Sequence, residues 1–421
     1  MNSIGLMSGT SMDGIDAALI TTDGEHEVKS YEHAHLTYTT EAQLLFKALE
    51  YSVQKAHGDL KLAAQHFSVT LPQYLHKQLG LSSDEIKRLH LAEYLQAALS
   101  NTKQALTLEG IIQYSTQLHA DTVQTLQQIC SLSSIDCVGY HGQTVFHRPL
   151  NKKTVQIGLG PTLAAITKLT VVYDFRSNDV ALGGQGAPFA PIYHQAIAVR
   201  DQLLPVGIIN CGGIANATLI LGKTLDDIIG FDMGPGNCLL DMYIRQLTQG
   251  RERMDVDGRY ALAGTVHSAT LKHLLQTQYK PALRALDSHD FSLPSELEHL
   301  SPEDASATLV QFTVECMIQS LQQQKTLPKR YILCGGGAYH PGIRQALAQR
   351  LKEEIHKDAH LHTAEEIGWK NQAIEAELMA YLAVRSLKNL PLSLPKTTGV
   401  PYPALGGKIA LPDAIIKKFQ E

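Results

Sequence analysis

Paired cysteines are missing from this chain. Its six cysteines, Cys130, Cys137, Cys211, Cys238, Cys316 and Cys334, are scattered with no Cys-x-x-Cys pair. That spacing suits reduced thiols and argues against a zinc site or a disulfide framework. Positive charge is also in short supply: 36 Lys and Arg stand against 41 Asp and Glu, a net charge of −5. The balance leaves no footprint for nucleic acid, and no polybasic run is present to meet an anionic lipid surface. No uninterrupted apolar stretch is long enough to cross a bilayer, and the N-terminus lacks the basic region and cleavage site of a signal peptide. The expected location is therefore the cytoplasm. Solenoid repeats and low-complexity tracts are absent. His141 and His147 flank a short strand, but no third ligand accompanies them, so a metal site is not expected there.

At 421 residues the chain is long for one core, and two lobes are the natural expectation. A hydrophobic share of 44% and a charged share of 18% are ordinary for a globular protein. The most informative stretch is the first. Two alternating β-prone segments flank Ser8-Gly9-Thr10-Ser11-Met12-Asp13-Gly14, a small-residue loop that closes on an Asp-Gly turn signal. Such a loop offers N–H groups and hydroxyls with little bulk, which is what a phosphate needs in order to sit against a backbone. It is not a Walker loop, because no Gly-Lys-Ser/Thr follows and the next element reads as a strand. An ordinary hairpin is the competing reading.

Residues 40 to 130 read mostly helical. Strands are expected at 137–145, 154–158 and 169–175, with Pro161 opening a short helix between the last two. A Gly-rich loop, 183–188, follows. Near Leu203 the pattern restarts: strand 206–210, the small-residue loop Cys211-Gly212-Gly213-Ile214-Ala215-Asn216, then strand 217–221. Two strand–loop–strand units about two hundred residues apart suggest an internal duplication. Ser301-Pro302-Glu303-Asp304 is a well-formed helix start. Strand 331–334 runs into Gly335-Gly336-Gly337-Ala338, where a ligand can approach the backbone beside a helix N-terminus. Helix 371–387 comes next, and Pro391 to Pro403 marks the expected end of the compact fold.

Six segments in this order resemble the anhydro-N-acetylmuramic acid kinase family. They are Gly5 to Asp16, Gly139 to Pro149, Asp174 to Pro188, Asn210 to Asn216, Phe231 to Asn237 and Cys334 to Ala338. The resemblance implies an α/β fold of two actin-like (ribonuclease H-like) lobes with a nucleotide cleft between them. The first lobe would span 1–200, completed by 385–421, and the second 201–384. It also implies a kinase that takes 1,6-anhydro-N-acetylmuramic acid, ATP and water to N-acetylmuramic acid 6-phosphate and ADP, with Mg²⁺, in cell-wall recycling. The partners are then a small amino sugar and ATP, and a homodimer is compatible with this reading. An Hsp70- or actin-like ATPase and a non-catalytic sugar sensor are the alternatives.

The family's base maps to Asp179, where a carboxylate can orient and deprotonate a water as oxocarbenium character develops. Asp174 is the competing carboxylate; it is expected to orient Arg176 or to cap the strand end. ATP contacts map to Gly9, Thr10, Ser11, Met12, Asp13, Gly14, Ile15 and Asp16, with Gly212, Gly213, Asn216, Gly335, Gly336 and Gly337 on the second lobe. Asp232 is the expected holder of Mg²⁺, through water. His141, Gln143, Thr144, Arg148 and Gln185 are the expected sugar contacts, Arg148 as partner of the lactyl carboxylate. Glu375 matches a family position and reads equally well as a solvated helix face. Met233, His340 and Leu159 depart from the family pattern, the first by removing a hydroxyl near the phosphates.

Overall fold

The computed structural model describes residues 1–9, 12–99, 106–279, 286, 290–370 and 372–412. The chain divides into two units, Met1–Phe189 with Ala373–Glu421, and Ala190–Gln372. Unit 1 holds β1 (Asn2–Ser8), β2 (Gly14–Thr22), β3 (Val28–Thr37), β4 (Cys137–Arg148), β5 (Lys153–Ile157) and β6 (Thr170–Tyr173). Unit 2 holds β7 (Val206–Cys211), β8 (Ile214–Ile220), β9 (Ile228–Pro235), β10 (Arg330–Cys334) and β11 (His360–Thr363). The chain then returns to unit 1 and adds β12 (Lys408–Ala410) at the sheet edge beside β6.

The two sheets share one topology. Unit 1 runs β3-β2-β1-β4-β6 and unit 2 runs β9-β8-β7-β10-β11. In each, the first three strands in sequence form an antiparallel meander, and two more, β4 and β6 or β10 and β11, lie parallel to the first, with β5 paired antiparallel to β4 in unit 1 alone. This is the ribonuclease H-like arrangement of actin-like proteins, used twice, and it gives the internal duplication a structural basis. In such sheets ligands meet the carboxyl ends of the parallel strands. In unit 1 those ends are Ser8 on β1, the middle of β4 and Tyr173 on β6.

A glycine pair decides what packs on the unit 1 sheet. Gly5 and Gly139 are register partners on β1 and β4. A Cβ at Gly5 would sit 1.8 Å from the Ala376 carbonyl oxygen, and one at Gly139 would sit 2.0 Å from that of Met379. Only a bare backbone lets helix Ile374–Leu387 lie so close, and this places Glu375, in its first turn, over the sheet. The helix therefore belongs to unit 1, whereas the sequence reading placed 373–384 in the second lobe. Helix Ala190–Arg200 moves the other way, because its buried polar residues find their partners in unit 2. His194 Nδ1 lies 3.0 Å from Thr218 Oγ1, and Gln195 Nε2 donates to the Thr224 carbonyl at 2.7 Å.

The segment from Pro391 to Pro403 does not end the compact fold. Leu392, Leu394, Thr398 and Val400 are each at most 2% exposed. Ser393 bridges Ala404, and β12 follows. Two other strands escape the sequence reading. β3 carries Glu32, His33 and His35, and β9 carries Gly230 and Gly234; both are strands because β2 and β8 supply ladder partners. Each unit has its own core, around Ile4, Leu19, Phe46 and Val138 in unit 1 and around Ile209, Leu219, Phe312 and Leu333 in unit 2. Burying each such side chain contributes about 1.5–3 kcal/mol. Among the described residues no helix is long and apolar enough to cross a membrane.

Candidate active site

The opening loop of unit 1 is set by its flanking strands. Met7 on β1 faces Asp16 on β2, and Ser8 faces Gln143 on β4. The Gly9 carbonyl accepts the Met12 amide at 3.1 Å and Gln143 Nε2 at 3.0 Å. Thr10 and Ser11 lie outside the described residues. Met12 turns the chain with φ +54°, and its side chain, like that of Ile15, is buried in the core. Ligand contact from Met12 or Ile15 is therefore confined to main-chain atoms. Gly14 is needed for closeness: it sits in β2, and a Cβ there would lie 2.4 Å from the Leu36 carbonyl oxygen and 2.7 Å from the His35 ring. The Asp13 carbonyl accepts the Tyr38 amide at 2.8 Å. Asp16 Oδ1 lies 2.7 Å from His35 Nδ1, its cross-strand partner on β3.

Asp179 occupies the short helix Ser177–Ala181 and is 1% exposed. Its Oδ1 accepts the Gly186 amide at 2.5 Å, and its Oδ2 is buried with no partner among the described residues. The glycine loop is pinned all round. Arg176 Nη1 donates to the Gly186 carbonyl at 2.5 Å, and His147 Nε2 lies 3.0 Å from the Gln185 carbonyl oxygen. The Gln185 amide donates to Thr398 at 2.7 Å. Gln185 thus meets the loop's anchors through its main chain. Sequence reasoning weighed His147 only as a metal ligand and did not single out Thr398, which lies in the 385–421 segment that the family resemblance assigned to the first lobe.

The electrostatics centre on Arg176. Its Nε donates to His141 Nε2 at 3.0 Å, and its guanidinium stacks on Phe189 at 5.5 Å. Burial pulls the guanidinium down to about 10, against the charges of Glu375 and Asp179. His141 is held neutral. Burial first, then the Arg176 charge, pulls its imidazole down to about 3. Its tautomer follows from its partners: Nε2 faces a guanidinium that only donates, and Nδ1 lies 2.7 Å from the Gly142 carbonyl, which only accepts. Glu375 is not an idle helix face. Its side chain is exposed, and its carboxyl is shifted upward by desolvation, with Arg176 opposing and Asp16 adding to the rise. Asp174 does not orient Arg176 as expected; it pairs with Lys408 at 2.7 Å and accepts the Ser177 hydroxyl.

The remaining sugar candidates divide. Thr144 Oγ1 accepts from Gln156 Nε2 at 3.3 Å. Arg148 stands exposed at the end of β4, its guanidinium 5.8 Å from the Phe146 ring and donating to the His147 carbonyl. Beside His141 a cavity of about 260 Å³ opens between β5 and the end of β6, walled by Tyr140, Val155, Gln156, Tyr173 and Ser177.

In unit 2 the glycine loops brace each other. Gly212 and Gly213 carbonyls accept the amides of Asn237 and Gly236 at 2.7 and 2.9 Å. Nothing lies within 4 Å of a Cβ built on Gly213, so its backbone faces open space. Asn210, Asn216 and Asp232 form one row across β7, β8 and β9. Gly335, at φ +78°, approaches the Asn210 side chain and the Cys211 carbonyl, and Gly337 approaches Cys211 Sγ. Burial pushes the Asp232 carboxyl up to about 6, and its Oδ2 accepts the Leu286 amide at 2.7 Å. No cluster of three His, Cys, Asp or Glu fit to hold a metal occurs among the described residues.

The departures from the family pattern gain physical explanations. Met233 is 1% exposed, with its side chain in the unit 2 core. His340 caps helix Pro341–Arg350: its Nδ1 accepts the Ile343 amide at 3.2 Å, and its Nε2 reaches Asp255 at 3.3 Å. Leu159 takes the capping position of helix Gly160–Thr167 with no side-chain cap, and its amide donates to Thr116 Oγ1 at 3.1 Å.

Two ribonuclease H-like units, one of which cages a carboxylate, define a protein of the actin-like fold class. Relatives narrow the class. The family model described as anhydro-N-acetylmuramic acid kinase matches residues 63–411. An anhydro-N-acetylmuramic acid kinase of Caulobacter vibrioides is 39% identical over 416 residues, covering 97% of this chain and 98% of the relative. One of Rhodopseudomonas palustris is 38% identical, covering 98% and 100%. The chain belongs to the anhydro-N-acetylmuramic acid kinase family.

Proposed function

We propose that the protein phosphorylates 1,6-anhydro-N-acetylmuramic acid at O6 while water opens the anhydro ring. The observation that carries this reading is Asp179 Oδ2, a buried carboxylate oxygen with no partner among the described residues, beside a pinned glycine loop. The water oxygen attacks C1 and passes a proton to Oδ2. The C1–O6 bond breaks, and O6 attacks the γ-phosphorus of ATP, releasing ADP. Oδ1 stays committed to Gly186, so the carboxylate does not rotate away from the water. Neutral His141 holds Arg176 without adding charge, and the guanidinium balances the carboxylates of Asp179 and Glu375.

The loop Gly9 to Asp16 is the proposed phosphate grip in unit 1. Gly212, Gly213, Asn216 and Gly335 to Gly337 are the proposed nucleotide contacts in unit 2. Asp232 fits a Mg²⁺ ion held mostly by water and phosphate, since such ions need only one or two carboxylates. When bound, the ion neutralises developing charge on the phosphates. ATP as co-substrate places the reaction in the cytoplasm. The test is ADP release from purified protein with and without the anhydro sugar. Release that needs the sugar supports the kinase; release at the same rate without it points to an ATPase of the Hsp70 kind.

A further inference from the structure

We propose that Gln143 couples the two substrates, its amide donor holding the phosphate loop and its amide oxygen accepting a hydrogen bond from the bound sugar. The inference deepens the kinase reading and rests on it. The orientation of the side chain is fixed by chemistry. Nε2 lies 3.0 Å from the Gly9 carbonyl oxygen and 3.5 Å from that of Thr144. Carbonyls only accept, so the nitrogen must face them, and the oxygen is turned the other way. That oxygen is buried with no partner among the described residues, on a residue only 1% exposed. Buried polar atoms are nearly always paired, so this oxygen is free to accept a donor that water or a ligand brings.

The position suits a link. Gln143 is the register partner of Ser8, the last residue of β1 before the loop. Two residues earlier on the same strand, His141 holds Arg176, which holds the loop that orients Asp179. A hydroxyl or amide N–H of the sugar on Oε1 would hold the Gln143 side chain still, and with it the Gly9 carbonyl. By linkage, nucleotide on the loop would equally favour sugar on Oε1.

The experiment is calorimetric titration of the full chain with a non-hydrolysable ATP analogue and with 1,6-anhydro-N-acetylmuramic acid, each alone and with the other saturating. It compares wild type, Q143E and Q143L. Wild type is expected to bind each ligand more tightly in the presence of the other. Q143E keeps an acceptor for the sugar but sets a carboxylate oxygen against the Gly9 carbonyl. Its nucleotide affinity is expected to fall about tenfold or more while sugar affinity stays within about threefold, and the coupling disappears. Q143L, which loses both halves of the amide, weakens both ligands, and it carries the test if Q143E does not fold. Wild type that binds both ligands without coupling overturns the proposal alone. So does Q143E with nucleotide affinity unchanged, or Q143L with both affinities unchanged. Wild type that binds neither ligand overturns the kinase reading and the proposal with it.

Discussion

Asp179 and Gly186 are joined by one short hydrogen bond, amide to Oδ1 at 2.5 Å, and it leaves the second carboxylate oxygen buried and unpartnered among the described residues. The carbonyl of the same glycine is held by Arg176. One loop residue therefore fixes the carboxylate and ties it to the guanidinium that balances its charge.

Asp179→Asn keeps the size of the side chain and an acceptor oxygen but cannot take a proton from water. Turnover is expected to fall about a hundredfold or more, the scale for losing a positioned base, with nucleotide affinity nearly unchanged. Steady-state rates and a nucleotide titration on the same preparation check this.

Gly186→Ala tests the loop rather than the base. Gly186 has φ +70°, and a Cβ would lie 2.8 Å from Val180 Cγ2 and 2.9 Å from the His147 ring. The left-handed backbone alone costs a non-glycine residue about 1–2 kcal/mol. Turnover should fall with little change in nucleotide affinity, and the denaturant midpoint should drop. Unchanged turnover would show that the loop does not position Asp179.

Met233→Thr restores the residue usual in the family. Because Met233 is buried in the unit 2 core, the variant is expected to bind ATP no more tightly and to lose about 2–3 kcal/mol from the cavity and the buried hydroxyl. Titration and chemical denaturation read the two effects separately.

Acid should weaken the fold through its buried histidines. Burial holds His119 down to about 4 and His194 to about 4, against an ordinary 6.5. Between those values the unfolded chain binds the extra proton, so stability falls as pH drops from 6.5 towards 4, by roughly 1.4 kcal/mol per unit for each group. Asp232 and Asp241, raised to about 6 by burial, act in the opposite sense below that pH. His119→Gln isolates one term: the stability difference between wild type and variant should shift against wild type as pH falls from about 7 to about 5. A constant difference would contradict the assignment.

The sequence made the framework legible where chemistry and turn signals coincide. The Asp-Gly hairpin and the Ser301-Pro302 helix start stand where they were read, because local signals and tertiary pairing agree there; the second strand–loop–strand unit is also present, but its loop is only Gly212 and Gly213, because Ile214 to Asn216 pair with β9 as part of β8. β3 and β9 were illegible because neighbouring strands, not their composition, make them strands. The return of 385–421 to the first lobe came through the resemblance; the tail's own composition pointed the other way, because proline suggests an exit while its leucines and Thr398 are buried. Asp179 was reached through family resemblance, but its cage was not. Arg176, His147, Gly186 and Thr398 converge only in three dimensions, and the partner of Asp174 proved to be Lys408, more than two hundred residues away.

The central claim is that one enzyme-bound step both hydrolyses the anhydro ring at C1 and phosphorylates O6. Mass spectrometry of the product formed from the anhydro sugar and ATP in heavy-oxygen water tests it most directly. The account predicts a 6-phosphate carrying one heavy oxygen at C1 and none in the transferred phosphoryl group, with Asp179→Asn yielding almost none of it. Phosphorylated sugar without the label, or label appearing in free phosphate with the sugar unchanged, would contradict it.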